Sequence, residues 1–345
     1  MLFNGVMEPF TRVEMPLPLG LGEGEVLVSL HLAAICGSDL HTYEGRRKEP
    51  VPSVLGHEGV GTVVAIGQGR KDVRIGARVT WSLVDSCGCC PYCTQYALPQ
   101  KCENMYKYGH SLWTPSSAPD GCYSTHIVLR KGTKIVELPD NVDDGMAVSA
   151  NCALSTMVNA VSHVKPGTRS VLIQGGGLLG LFCTALLREK EVQQVYITDI
   201  DPRRLQLASL AGATAVPAEE AGQYFRTPRL VDAVIEVAGS ASLFPQGMNA
   251  LRFGGSYLLV GLVHPDTRID ITGEQIVRRC INVQGVYNYA PWHLEEAVAF
   301  LARSGNSFPW GDTFSKPYAL GELNEAFSEA RRRTWPRVTI DCTAV

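Results

Sequence analysis

The segment Val171-Leu172-Ile173-Gln174-Gly175-Gly176-Gly177-Leu178-Leu179-Gly180 limits what this chain can fold into more than any other stretch. It is an apolar run, then Gly-x-Gly-x-x-Gly, then a helical pattern. That order calls for a buried strand, a tight turn and a helix packed back onto the strand. Gly175 permits the turn, Gly177 lets the backbone approach a pyrophosphate, and Gly180 lets helix and strand close on one another. An anion at the turn then meets unpaired amides at a helix N-terminus. Asp199 ends the next strand-like run, about 20 residues past the last glycine, where a carboxylate accepts from ribose hydroxyls. A 2′-phosphate would be repelled there, so NAD is expected over NADP, with Arg203 and Arg204 as the features that favour the opposite choice. Asp201, just before Pro202, is the expected helix N-cap.

Around this motif the chain alternates strand-like and helical runs: Val171 to Gln174, Leu178 to Lys190, Val195 to Thr198 and Pro202 to Leu210. Apolar runs at Val231 to Val237, Ser256 to Val260 and Ile281 to Gly285 continue the series, giving about six βα units in a doubly wound parallel sheet. The first 150 residues read differently, as short apolar runs such as Glu25 to Leu30, Gly59 to Ile66 and Arg78 to Trp81, broken by Gly and Pro. That texture is β-rich and loop-rich. After the alternation ends, helices over Leu294 to Ala302 and Leu320 to Arg332 and a strand over Arg337 to Asp341 are expected to rejoin the N-terminal part. The expected boundaries are 1–152 with 289–345 for one domain and 153–288 for the dinucleotide domain.

At 345 residues, two domains are the natural arrangement. A net charge of −3 offers no basic footprint for nucleic acid or anionic lipid, which points to a small-molecule partner. Met1 to Arg12 lacks the pattern of a secretory signal and no stretch reaches membrane-spanning length, so a soluble cytoplasmic protein is expected.

Two groups of cysteines carry metal chemistry. Cys87, Cys90, Cys93 and Cys102, in the pattern Cys-x2-Cys-x2-Cys-x8-Cys, put four thiols in one loop region, enough for a closed, structural zinc sphere. Cys89 lies inside the run and is an alternative ligand. The second group is dispersed: Cys36-Gly37-Ser38-Asp39, Gly56-His57-Glu58-Gly59 and Asn151-Cys152. Spacing alone does not join these; taken singly, Cys36 and Cys152 suit buried apolar positions.

At Ile35-Cys36-Gly37-Ser38-Asp39-Leu40-His41, at Gly56-His57-Glu58-Gly59-Val60-Gly61 and at the four-cysteine loop, the chain resembles the zinc-containing medium-chain alcohol dehydrogenases. The resemblance runs from Gly24-Glu25-Val26 to Arg337-Val338-Thr339-Ile340-Asp341. It implies an α/β protein with a GroES-like, β-rich catalytic domain and a Rossmann domain, acting as a homo-oligomer, dimer or tetramer. It further implies that Cys36, His57 and Cys152 hold a catalytic zinc, with Glu58 a close or transient ligand, and that hydride passes between a zinc-bound small alcohol or carbonyl and NAD. Ser38 and His41 resemble the family's proton relay, Asp39 supports the site, and Arg337 is expected near the cofactor phosphates. The last interval of the cysteine loop is one residue longer than is usual in the family, so the path near Tyr96 has to absorb it.

The stretches Leu98 to Cys102, Lys107-Tyr108-Gly109-His110 and Ala150 to Ala153 are similar to a subgroup associated with phosphonate catabolism. That implies a hydroxyalkylphosphonate or related anionic alcohol or aldehyde, with Arg46, Arg47 and Lys48 placed to meet an anionic headgroup. The Cys-Gly-Ser-Asp form leans toward a polyol or threonine-type dehydrogenase acting on a neutral or amino alcohol. A catalytically silent nucleotide-binding scaffold is the reading from outside the enzymes, and the joint presence of Cys36, Ser38, His41, His57, Glu58 and Cys152 argues against it.

Overall fold

The computed structural model describes residues 1–344 except 227, 229, 266, 305–307 and 309, and the side chain of Trp310 is also outside the description. The chain divides into two compact units, one of Met1–Ser155, Tyr289–Gly305 and Trp310–Val345, the other of Thr156–Asn288 and Asn306–Pro309. Strands are numbered in chain order: β1 (Val26–Ile35), β2 (Glu58–Ile66), β3 (Arg78–Asp85), β4 (Tyr106–Lys107), β5 (His126–Leu129), β6 (Thr133–Glu137), β7 (Ser170–Gln174), β8 (Gln194–Asp199), β9 (Thr214–Pro217), β10 (Val231–Glu236), β11 (Leu251–Leu259), β12 (Asn282–Gly285), β13 (Tyr318–Ala319) and β14 (Val338–Asp341).

In the first unit an eight-stranded sheet runs β13-β14-β1-β2-β3-β4, with β5 added to β1 and β6 to β3. Its core gathers Val26, Val28, Leu30, Trp81, Tyr108, Tyr123, Ile127 and Phe327, all nearly or wholly removed from solvent. Alternation along β1 sends these side chains inward, and the glycines of β2 let the strands approach closely: a Cβ at Gly61 would meet the Ser29 carbonyl at 2.2 Å. Register then decides what meets at one end of the sheet. Ala34 pairs with Glu58 and Ile35 with Val338, so Cys36, His57 with Glu58, and Arg337 arrive together from three strands far apart in sequence. The returning C-terminal segment supplies the helix Pro291–Ser304 and the helix Leu323–Arg332, whose Leu323, Ala326, Phe327 and Ala330 face inward at helical spacing.

The second unit is a six-stranded parallel sheet in the order β12-β11-β10-β7-β8-β9. Numbered from β7, this is the doubly wound Rossmann order, and β7 is the strand at which the direction of winding reverses. Helix Leu178–Glu189 begins immediately after the glycine turn, with Gly177 as N-cap. Asp201 caps helix Pro202–Leu210 by accepting from the Arg203 amide, with Pro202 at the first position, as expected. β11 starts at Leu251, earlier than the apolar run at Ser256, with an irregularity of register between Val231 and Ala233 that takes Arg252-Phe253-Gly254-Gly255 into the strand. Among the described residues no helix is long and apolar enough to cross a membrane.

Candidate metal and dinucleotide sites

The four loop thiols come together. One sulfur from each of Cys87, Cys90, Cys93 and Cys102 lies within 4.8 Å of the others, with Cys90 Sγ 3.6 Å from Cys93 Sγ and 3.9 Å from Cys102 Sγ. Tetrahedral zinc with arms of ~2.3 Å separates its sulfurs by about 3.8 Å, so the donor set fits a closed ion. Amides of Cys87 and Asn104 point at the Cys102 sulfur, and that of Cys90 at the Cys87 sulfur. Amides of Cys89 and Cys90 hold the Cys87 thiol down to about 5, which favours the thiolate a metal needs. Cys89 is exposed, its sulfur 3.5 Å from Cys87 Sγ, and it is not among the four that converge. Near Tyr96 the chain turns at Ala97, which takes a φ of +53°, and the Leu98 amide closes the turn on the Tyr92 carbonyl at 2.8 Å. A left-handed alanine is an uncommon conformation, held here by its flanking bonds.

The dispersed residues also meet. Donor atoms of Cys36, His57, Glu58 and Cys152 all lie within 4.8 Å of one another, and the two sulfurs are 3.9 Å apart, again the edge of a thiolate tetrahedron around zinc. Cys36 follows β1 and caps helix Gly37–Tyr43, His57 precedes β2, and Cys152 sits in a π-helical turn, Ala150–Leu154. Hydrogen bonding from Cys152, opposed by burial and aided by Arg337, holds the Cys36 thiol well below its ordinary value. Cys152, facing that sulfur in the same buried place, is pushed well above. Burial alone would lower His57, but the Asp39 carboxylate and the Cys36 sulfur outweigh it and raise the imidazole to about 10. A metal bound at His57 would have to displace that proton.

Supporting contacts fix each donor. Asp39, 1% exposed, accepts from the Cys36 amide and the Tyr123 hydroxyl, each at 2.9 Å, and its other oxygen lies 3.3 Å from His57 Nδ1. Asn151 donates to the His57 carbonyl at 2.9 Å. Tyr289 donates to the Asn151 carbonyl and accepts from the Leu83 amide. Glu58 is fully buried; Arg337 grips both its oxygens at 2.9 and 3.0 Å, and Ser149 adds a bond of 2.7 Å. Burial pushes the Glu58 carboxyl up despite Arg337. The structure thus puts the Arg337 guanidinium on Glu58, with a further contact of 3.4 Å to Cys36 Sγ. Ser38 Oγ stands 3.4 Å from His57 Nε2, and His41 follows on the same helix, Gly37–Tyr43. Sequence reasoning did not single out Tyr123, Ser149 or Tyr289 as supports, and no motif marks them.

In the second unit, Gly175 has φ +114° and a Cβ there would press on Ala238 at 3.0 Å, while a Cβ at Gly180 would meet the Gly175 carbonyl at 2.0 Å. Gly177 has nothing within 4 Å of that position, so the helix N-terminus is open on the side where an anion would approach. Asp199 ends β8, accepts from the Gly176 amide at 2.7 Å and the Asp201 amide at 2.9 Å, and has Arg204 at 3.6 Å. A carboxylate has room for further donors beyond those two.

Comparison with known proteins agrees with this geometry. Residues 22–140 match the alcohol dehydrogenase GroES-like domain and residues 179–303 the zinc-binding dehydrogenase domain. The chain is 27% identical over 334 residues to an L-threonine 3-dehydrogenase of Edwardsiella ictaluri, covering 94% of each. It superimposes on an alcohol dehydrogenase of Thermotoga maritima with a TM-score of 0.91 at 26% identity, covering 99% of this chain and 98% of that one. A zinc-binding dehydrogenase of Sinorhizobium meliloti, bound to NADP, follows at a TM-score of 0.83 and 25% identity, covering 95% and 94%. The chain belongs to the zinc-dependent medium-chain alcohol dehydrogenase family and is an oxidoreductase.

Proposed function

We propose that this enzyme oxidises a small alcohol carrying an anionic group, or reduces the matching carbonyl, with NAD as its dinucleotide. Cys36, His57 and Cys152 would hold the catalytic zinc, and Cys87, Cys90, Cys93 and Cys102 the structural one. The single observation that carries the reading is the buried convergence of Cys36, His57, Glu58 and Cys152 within 4.8 Å. When bound, zinc supplies the Lewis acidity that eases loss of a hydroxyl proton near neutral pH, and the dinucleotide supplies the hydride acceptor. Ser38 Oγ, beside His57, accepts that proton from the substrate hydroxyl and His41 passes it outward. Asp39 keeps the His57 ring and the Cys36 backbone in place. Arg337 and Ser149 occupy both Glu58 oxygens, which favours Cys152 over Glu58 as the third standing ligand. Gly175, Gly177 and Gly180 form the pyrophosphate turn, and Asp199 accepts from the ribose hydroxyls.

A second reading, oxidation of an amino alcohol such as L-threonine, is supported by the relatives named L-threonine 3-dehydrogenase. Initial rates with NAD across anionic, amino and neutral alcohols, on protein whose zinc content is measured in the same sample, test both. NAD-dependent turnover with two zinc ions per chain is expected. Full activity in protein holding only the loop zinc would overturn the mechanism.

A further inference from the structure

Beside the convergent set lies a cluster of charge that neither metal site uses. Lys107 sits on β4, paired with Val84 of β3, half-buried, and its ammonium makes no hydrogen bond or ion pair with any described residue. Arg47 from the loop after helix Gly37–Tyr43 has its Nε 2.6 Å from Glu49 Oε1. The same Glu49 oxygen lies 2.9 Å from His110 Nδ1. Glu49 pairs with Arg47, and among the described residues no carboxylate forms an ion pair with Lys107.

His110 is the second, independent sign of a missing partner. Its side chain is 6% exposed, its ring stacks on that of His57 with centroids 5.7 Å apart, and, with Nδ1 beside Glu49, its Nε2 has no hydrogen-bond partner among the described residues. A buried polar atom without a partner calls for an explanation, and beside a cationic cluster an arriving anionic group supplies one. Burial and then the Arg47 guanidinium pull the Lys107 ammonium down to about 8, against the pull of Cys152, Glu49 and Cys36. Keeping two cations close together in a half-buried place is unfavourable until an anion joins them.

We propose that Lys107, with Arg47 behind it and His110 beside it, forms the subsite that receives an oxyanion carried by the substrate. The enzyme then selects alcohols bearing a phosphonate or carboxylate over neutral ones. Lysine serves here as a compact point charge, which suits either headgroup. This rests on the reading of Cys36, His57 and Cys152 as the alcohol-binding centre.

The test uses four secondary alcohols that share a CH3–CHOH–carbon unit: 2-hydroxypropylphosphonate, 3-hydroxybutyrate, L-threonine and 2-butanol. Each is assayed with the zinc-loaded enzyme and NAD as wild type, Lys107→Gln and Lys107→Arg. Lys107→Gln is expected to lower the kcat/KM ratio of the anionic substrates to 2-butanol by about tenfold or more, chiefly through KM, and Lys107→Arg to restore most of it. Above a pH of about 8 the wild-type KM for the anionic substrates is expected to rise, and that of Lys107→Arg to stay level. Whichever of phosphonate and carboxylate loses more in Lys107→Gln is the headgroup the subsite was built for. Calorimetry with methylphosphonate and with acetate reads binding without turnover. Lys107-dependent binding in protein that oxidises none of the alcohols would support the subsite while removing the reading of Cys36, His57 and Cys152 as the centre that acts on them. An equal loss on 2-butanol and the anionic substrates, a wild type that prefers 2-butanol, or calorimetry unchanged by Lys107→Gln would overturn the subsite and leave the dehydrogenase reading standing.

Discussion

Tyr123 donates its hydroxyl to Asp39 at 2.9 Å, wholly out of contact with solvent, across 84 residues of sequence. Asp39 in turn faces His57 and holds the Cys36 amide, so one phenol steadies the carboxylate on which two of the proposed metal donors depend. Replacing such outer partners costs roughly 10–100-fold in metal affinity. Asp39→Asn is expected to fall in that range for the catalytic zinc, and Tyr123→Phe by about tenfold, with the loop zinc unaffected. Competition with a chelator followed by metal analysis reads both; wild-type retention of both ions in both variants would contradict the arrangement.

The cysteine loop gives a contrast between neighbours. Cys93→Ser is expected to lose one zinc per chain, to melt at a lower temperature and to be cut by protease within the loop, since a structural ion contributes its binding energy to folding. Cys89→Ser is expected to keep both ions and the wild-type melting temperature. Loss of zinc from Cys89→Ser would mean that the quartet has been drawn with the wrong sulfur.

For the dinucleotide, Asp199→Asn retains an acceptor for the Gly176 amide but removes the charge. The ratio of kcat/KM with NAD to that with NADP is expected to fall by about tenfold, because repulsion of a 2′-phosphate is lost and Arg204 at 3.6 Å is freed. An unchanged ratio would show that the carboxylate does not set the preference.

Asp232 predicts a dependence on pH. On β10, it accepts from the Arg169 and Ser170 amides at 2.8 and 2.9 Å, from Ser170 Oγ, and from Arg252, joining the start of β7 to its neighbour. Burial would raise its carboxyl, but these donors prevail and hold it below its ordinary value. A depressed carboxylate contributes stability that is present above its unfolded pKa and is lost as pH falls through the folded one. Asp232→Asn should therefore cost about 1 kcal/mol at neutral pH, and the gap to wild type should close in acid below the ordinary carboxylate range. Thermal unfolding across that range is the measurement; a gap that persists in acid would assign the loss to packing instead.

What could be read in the sequence follows from how local each signal is. The glycine turn, β7, β8 and the Asp201 cap were legible because strand, turn and helix follow one another within a few residues, each with its own period. The gathering of the four loop thiols was legible from spacing, although only the folded loop sets Cys89 apart from them. Cys36, His57 and Cys152 lie on separate elements, and residue type alone suits them to an apolar core, so only resemblance joined them. Tyr123, Ser149 and Tyr289 look like any buried polar residue until register brings them to Asp39, Glu58 and Asn151. The same holds for Lys107 and His110, whose meaning lies in the partners they lack.

Arg337 reaches Cys36 across 301 residues, and Tyr289 props the Asn151 carbonyl across 138. A nascent chain therefore holds every sulfur of the loop cluster long before it holds the pieces that brace the other metal pocket. During synthesis the loop is able to capture its ion while the ribosome is still making the dinucleotide-binding half. The pocket around Cys36 and His57 has to wait for the final strand to be released, so an unfinished polypeptide would gather the four loop thiols without the groups that brace the other set.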